Sequence, residues 1–366
     1  MKIYDFLIVG AGFFGSVFAR EMTDRGAKCL VIDKRGHIAG NCYTEKNNGI
    51  DVHKYGPHIF HTNNQKIWNY INKHAEFNSF TYRPKVNYNN KIFSFPINLL
   101  TLHQLWGVST PLEAKNKLDS VKINIENPKN LEEWALSQVG EEVYKTFFYG
   151  YTKKQWGREP KELPSFIIKR LPIRLSYNDN YFNDKYQGIP VNGYTDIFRS
   201  LLSGIDLELE ADYLSNREYF DKLTNKVIYT GAIDEFYDYE LGTLEWRSLR
   251  FEENIMDVSD YQGVAAVNYT DSINMFTRII EHKHFMMNSL DSKSTIVTRE
   301  YPQAWNKSKE RFYPVNDKAN NELFLRYKNH STCDRIVFGG RLGDYKYYDM
   351  HQVIASALYK SSKEEK

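Results

Sequence analysis

The stretch Asp5–Asp33, DFLIVGAGFFGSVFAREMTDRGAKCLVID, limits what this chain can fold into more than any other. Phe6-Leu7-Ile8-Val9 is an uninterrupted apolar run, the pattern of a parallel strand buried on both faces. Gly10, Gly12 and Gly15 follow in GxGxxG spacing. The first permits a tight turn, the second lets backbone approach a pyrophosphate, and the third lets a helix pack close to the strand. The helix is expected from Phe13 to Arg25, stopping at Gly26. Cys29–Ile32 reads as a second strand. Asp33 ends it, near the roughly 20-residue spacing of an acid that binds a ribose hydroxyl. The whole predicts a dinucleotide-binding βαβ unit. A secretory leader is not expected, because Asp5 and the glycines break the apolar run and no small-residue cleavage site precedes the helix.

The chain has 366 residues, room for two or three domains or one elaborated domain. A net charge of +2 implies no strong field for nucleic acid. Cys29, Cys42 and Cys333 are widely spaced, without a CxxC pair. That argues against a disulfide framework or zinc site and fits a reducing cytoplasm. No apolar run is long enough for a transmembrane helix. The supply of 27 Tyr and 22 Phe is mostly core, and also suits a site that stacks on planar or sugar ligands.

Further along, Gly36 and Gly40 punctuate a loop that a dinucleotide fold would place, with Arg35 and Asn41, near the cofactor. Gly49–Tyr55 has the alternation of a strand, and Gly56-Pro57 is a turn. His58 and His61 follow. They fit a metal reading, a hydrogen-bonded loop, or a polar contact to cofactor or substrate. No local cysteine or acidic cluster completes a metal-ligand set, so no metal is expected. Asn63 is a candidate cap for a helix from Gln65 to about His74. Phe80–Phe95 reads as a hairpin about Asn89-Asn90. Helices are expected from Leu99 to about Gly150, with starts marked by Pro111 and Pro128.

The second dense stretch runs from Phe147 to Phe182. Aromatic residues interleave with Arg, Lys and Asn in a segment broken by Gly and Pro. That suits a ligand carrying a ring and phosphates, which Arg can grip and Tyr or Trp can stack. A surface helix pair with core aromatics is the plainer alternative, and the basic residues are too balanced by acids for RNA. Lys226–Asp234 reads as a strand ending at glycine, and 244–301 as β-rich. Arg278 there is either paired structurally or aimed at an anion. Arg335–Phe338 is a strand ending in Gly339-Gly340. Asp349 is a fitting cap for a helix with an apolar stripe of Met350, Val353, Ile354, Ala357 and Leu358. A second strand–glycine–helix unit favours FAD over NAD, because the flavin extends away from the first glycine turn.

Taken in order, VGAGFFG, YGPHIFHT, FFYGYTKKQWG, KRLPIR, NDNYF, YQG…NY, TRIIEHKHF, FYP and GGRLGDYKYYDM resemble the prokaryotic UDP-galactopyranose mutases over nearly the whole chain. The resemblance implies an α/β protein: a Rossmann-type FAD-binding domain with an inserted small helical domain and an antiparallel β-sheet domain. The expected boundaries are 1–80, 194–243 and 312–366 for the first, 98–178 for the second, and 81–97, 179–193 and 244–311 for the third. The implied reaction interconverts UDP-galactopyranose and UDP-galactofuranose without net redox, through a covalent adduct between the sugar and N5 of reduced FAD.

Carried over by position, Arg170 and Arg278 grip the diphosphate, and Tyr181, Tyr313 and Tyr347 contact phosphate. Tyr151 stacks on uracil, with Phe147, Phe148, Thr152, Trp156 and Asn268 in the substrate site. His58 and His61 lie beside the flavin and count, with the two arginines, as catalytic candidates. The FAD set is Gly10, Gly12, Phe14, Gly15, Asp33, Lys34, Arg35, Gly40, Asn41, His58, Ile59, Arg341, Tyr347, Asp349 and Met350. A loop from Lys169 to Tyr181 is expected to close over substrate. NAD(P)H as external reductant, a homodimer, a cytoplasmic location and a role in cell-surface polysaccharide synthesis complete the expectations.

Overall fold

The computed structural model describes residues 3–169, 171–286, 293–330 and 334–365. Arg170 and Cys333 therefore lie outside the described residues. The chain divides into two compact units. The first comprises Met1–Ser79, Asp184–Trp246 and Tyr313–Lys366, and the second Phe80–Asn183 and Arg247–Phe312.

The first unit is built on a parallel sheet. The strand Tyr4–Val9 lies between Cys29–Asp33 and Thr224–Tyr229. Asp206–Leu209 extends the sheet on one side and Ile336–Phe338 on the other. Leu7, Ile8, Val31, Ile32, Val227 and Ile228 are buried on both faces, as the uninterrupted apolar runs predict. The edge strand Asp206–Leu209 escaped sequence reading because it is half exposed and carries two acids. The helix Phe13–Asp24 follows the glycine turn, and Gly26 ends it with φ +85°. Residues 184–193, expected with the antiparallel sheet, belong to this unit because Tyr186–Gly188 pairs with Phe60–Thr62. The helix after His61 spans Gln65–Ile71, and its cap is Asn64 rather than Asn63. Asn64 Oδ1 accepts from Lys66 and Ile67 N–H, whereas Asn63 is spent on Asp184 and Lys185.

The second unit combines helices with six strands of a mostly antiparallel sheet. The strands run in the order Trp246–Met256, Thr295–Ala304, Arg278–Glu281, Ala266–Tyr269, Lys85–Tyr88, Lys91–Ser94. All neighbours are antiparallel except Ala266–Tyr269 with Lys85–Tyr88, which are parallel because the hairpin strand arrives from a distant part of the chain. The hairpin turns at Asn89-Asn90, both at positive φ. The helix Pro111–Val121 begins at Pro111 as expected, with Thr110 as cap. The next helix does not begin at Pro128. It spans Leu131–Val143, because Asn130 Oδ1 accepts from Glu133 N–H at 2.9 Å and so sets the start. Leu131, Ala135, Val139 and Val143 form its buried stripe. Among the described residues, no helix is long and apolar enough to cross a membrane.

Two outcomes are expected. A Cβ on Gly15 would fall 1.9 Å from the Gly10 carbonyl oxygen, so strand and helix must separate to admit it. Gly15→Ala should cost about 3 kcal/mol or more of stability, read by chemical unfolding, together with loss of bound flavin. In the second unit, Glu281 is fully buried and accepts from Tyr261 N–H, Gln262 N–H and Thr295 Oγ1. Burial pushes its carboxyl up, but His284 and these donors outweigh burial and bring it to about 2. Glu281 in turn raises the His284 imidazole above its ordinary 6.5. The Glu281 contribution is present above about pH 4.5 and fades toward 2. The His284 contribution is present below about pH 6.5 and is lost as pH rises through its raised pKa. The melting temperature should therefore fall less between about pH 6.5 and 8.5 in His284→Gln than in the unsubstituted protein.

Candidate active site

In the first unit, the glycine turn presents bare backbone. Gly10 sits at φ +110°, and a Cβ there would strike Thr230 Oγ1 at 2.0 Å. A Cβ on Gly12 would meet only Gly40 Cα, at 3.9 Å, so the space before the helix N-terminus is open. The first-turn amides of Phe13–Asp24 would face an anion bound there, with the helix dipole behind them. Asp33 is buried. Its Oδ2 accepts from Ala11 N–H at 2.8 Å and its Oδ1 from Arg35 N–H at 2.9 Å, which leaves lone pairs for a hydroxyl donor. Arg35 donates to Asn41 Oδ1 at 3.1 Å and lies 4.5 Å over the Tyr55 ring. Gly12, Asp33, Arg35, Gly40 and Asn41 thus converge as expected, while Lys34 is exposed.

The C-terminal glycines close on the same helix. A Cβ on Gly339 would fall 2.1 Å from the Phe14 ring, so Phe14 is buried packing beneath the glycine pair. Arg341 donates to Tyr348 O at 2.6 Å and lies 5.5 Å from the Tyr347 ring centre. Tyr347 stacks on Tyr313 with centroids 5.4 Å apart and planes 14° apart. Asp349 caps Met350–Ser361, and Gln352 Oε1 accepts its N–H at 2.9 Å.

The histidine loop is held tightly. His58 N–H donates to His53 Nδ1 at 3.1 Å, and its own Nδ1 lies 2.8 Å from Gly56 O. Ile59 is buried. His61 Nδ1 is 2.5 Å from Asp184 Oδ2, and its ring meets His351 edge-on at 5.2 Å. Nitrogen and carboxylate atoms of His61, Asp349 and His351 lie within 4.8 Å of one another. Local sequence showed no acid beside these histidines. Asp184 and Asp349 supply it from far along the chain, and His351 was not anticipated at all. Burial, together with neighbouring His61, lowers the His351 pKa, so near neutrality it favours the uncharged form that can accept or pass a proton.

In the second unit, Arg278 is fixed by a bidentate fork: Nε donates to Glu300 Oε2 at 2.9 Å and Nη2 to Oε1 at 3.1 Å. Glu300 is fully buried while the Arg278 side chain keeps 17% exposure, so the guanidinium is oriented by a buried carboxylate. Asn268 is its cross-strand partner. Tyr82 and Tyr151 lie close enough to interact with Arg278. Burial pushes the Tyr82 hydroxyl up to about 12, and the Tyr151 hydroxyl higher still, with Arg278 opposing both. Tyr181 meets Tyr82 edge-on at 5.2 Å. Of the two readings of Arg278 left open by sequence, the structural pairing is what the fork to Glu300 displays.

Phe147, Phe148 and Thr152 are buried; Tyr151 and Trp156 are partly exposed. Phe147 packs against Phe93 and Phe95, so its ring serves the core rather than an open pocket. Arg174 is spent on the NDNYF segment, donating to Asn178 O, Asn180 O and Asn183 Oδ1. Arg170 lies outside the described residues. Sequence reading missed Tyr82 and Glu300. The only signal for Glu300 was an acid set among the β-branched residues of TIVTREY.

The family model for UDP-galactopyranose mutase matches residues 146–347, and one for an NAD(P)-binding Rossmann-like domain matches residues 8–74. A probable UDP-galactopyranose mutase of Klebsiella pneumoniae is 41% identical, covering 98% of this chain and 94% of that protein. This chain belongs to the UDP-galactopyranose mutase family. A dTDP-fucopyranose mutase of Escherichia coli is 42% identical over 96% of both chains. The fold also matches a crystal structure of reduced UDP-galactopyranose mutase, with TM-score 0.78 at 14% identity, over 99% of this chain and 94% of that one. A putrescine oxidase bound to putrescine matches at TM-score 0.59 and 10% identity, over 98% of each chain, which is a likeness of fold.

FAD is the cofactor of this mutase family, and the residues of the first unit fit it. The open space at Gly12 and the free lone pairs of Asp33 suit the adenosine diphosphate. The second glycine pair packs on Phe14 of the same helix, with Arg341 next in the chain. For the second unit, Glu300→Gln is expected to lower stability by ~1.5–3 kcal/mol in chemical unfolding, because Arg278 loses one charge-assisted anchor.

Proposed function

We propose that this mutase interconverts UDP-galactopyranose and UDP-galactofuranose. The observation that carries the reading is the Arg278–Glu300 fork near Tyr82 and Tyr151: a fixed cation beside aromatic hydroxyls, of the kind that holds a diphosphate. Near full-length identity to the Klebsiella protein supports the sugar assignment.

Bound and reduced, FAD supplies a nucleophile at N5 for the anomeric carbon while the diphosphate leaves. The chain's own work is to hold what that step releases. Arg278 compensates the charge that gathers on the departing diphosphate, and its fixed position means no reorganisation is needed as the charge forms. Arg170 is proposed as the second cation. Tyr151, with Trp156 nearby, stacks on the base and keeps the nucleotide in place while it is not bonded to the sugar. Tyr181, Tyr313 and Tyr347 offer hydroxyl donors to phosphate oxygens. His58 and His61 orient the flavin side, with Asp184 fixing the His61 ring at 2.5 Å.

The 42% identity to the Escherichia coli protein favours a second reading, in which the substrate is dTDP-fucopyranose. NAD(P)H is the proposed external reductant, a homodimer the proposed assembly, the cytoplasm the proposed location, and cell-surface polysaccharide synthesis the proposed consumer of the furanose.

The purified holoenzyme is expected to carry a flavin spectrum and to convert UDP-galactofuranose to the pyranose only after reduction by dithionite, as followed by chromatography. Faster turnover of the dTDP-fucose pair would select the second reading. Activity in the oxidised state, or oxygen consumption with substrate, would overturn both.

A further inference from the structure

The loop that joins the strands Ala266–Tyr269 and Arg278–Glu281 has Asn268 just before one foot and Arg278 at the other. It is fastened to the segment that carries Tyr151. Lys154 Nζ donates to three loop carbonyls: Tyr269 O at 2.8 Å, Asn274 O at 3.0 Å and Phe276 O at 3.0 Å. Thr270 Oγ1 donates to Thr146 O at 2.6 Å, within the π-helical turn Tyr144–Tyr149. A Cβ on Gly150 would fall 2.2 Å from Thr270 O, so helix and loop touch backbone to backbone. The loop has a fixed shape of its own. Tyr269 N–H donates to Thr277 O at 2.8 Å, and Asp271 Oδ1 accepts from Ile273 and Asn274 N–H at 2.9 Å each.

A lysine that only covered apolar surface would reach water with its ammonium. The Lys154 ammonium is partly buried, and each of its three N–H groups has a backbone carbonyl to meet. It therefore has no donor left for a phosphate, and acts on the site through the loop. The π turn points the same way. It is a rare geometry found mostly at functional sites, and Thr270 occupies a carbonyl that the widened turn leaves available. One end of this assembly is Tyr151, and the other is Arg278.

We propose that Lys154 is a positioning residue that sets the separation between the base platform at Tyr151 and the diphosphate cation at Arg278. The platform and the cation then take a nucleoside diphosphate as one rigid, two-point ligand. This rests on the reading above that Tyr151 stacks on the base and Arg278 grips the diphosphate. Two-point binding at fixed spacing raises the effective concentration of the second contact. It is lost when the spacing fluctuates, even though each contact survives alone.

The test uses reduced holoenzyme and three competitive inhibitors: UDP, uridine and inorganic pyrophosphate. In Lys154→Met, which keeps the stem length but removes the donors, inhibition by UDP should weaken about tenfold. Inhibition by uridine and by pyrophosphate should each stay within about twofold. KM for the nucleotide sugar should rise with kcat within about twofold, a split that general destabilisation does not produce. Unchanged UDP inhibition would overturn the proposal. So would equal weakening by uridine, which would mean that Lys154 only builds the base platform. If Lys154→Met fails to fold, Thr270→Val removes the second tie and carries the same fragment test, with the same overturning result. Tyr151→Ala separates the layers. If it leaves uridine and UDP inhibition unchanged, the base-stacking reading itself is wrong; if it weakens both while Lys154→Met weakens neither, only the spacing role is lost.

Discussion

In the first unit Gly15 lies so near the Gly10 carbonyl that an added Cβ would fall 1.9 Å from it, and the glycine turn depends on that contact. With no Cβ at either position, the helix Phe13–Asp24 packs directly against the end of the strand Tyr4–Val9. That contact aims the helix N-terminus at open space above Gly12. It also fixes Ala11 where its N–H reaches Asp33. A side chain at Gly15 would tilt the helix, move its amides and break the link to the acid that marks the second strand. The distant Gly339 meets the same helix through Phe14, so the chain's return to the sheet is tied to the same contact.

The second unit depends on a different constraint, the buried carboxylate of Glu300. A buried charge is costly unless it is paired and hydrogen-bonded. Arg278 pairs it through a fork. A guanidinium held on one edge by a carboxylate in the sheet has little freedom. Either partner left alone would be an uncompensated charge.

How much of this was legible in the sequence follows from how local each signal is. The glycine turn, its helix and Asp33 lie within 29 consecutive residues, and the structure places them as read. The Asn89-Asn90 hairpin and the Pro111 helix start are equally local and were equally legible. Pro128 and Asn63 misled because each sits near a better capping residue, and the side-chain bond decides the helix start. The strand Asp206–Leu209 was missed because an exposed edge has no apolar run to betray it. The histidine loop was misjudged in its surroundings: its acids, Asp184 and Asp349, are far away in sequence.

The sequence by itself determined the parallel βαβ unit, the second glycine pair, and the family, through motifs that run the length of the chain. Each depends on neighbours a few residues apart, where backbone geometry and apolar period act directly. Only the tertiary structure decided what Arg278 rests on, which acids meet His61, and where the Lys154 ammonium ends. Those are contacts between segments from 22 to 288 residues apart. Burial turns such contacts from options into requirements, because a buried polar group must find its partner wherever the fold places one.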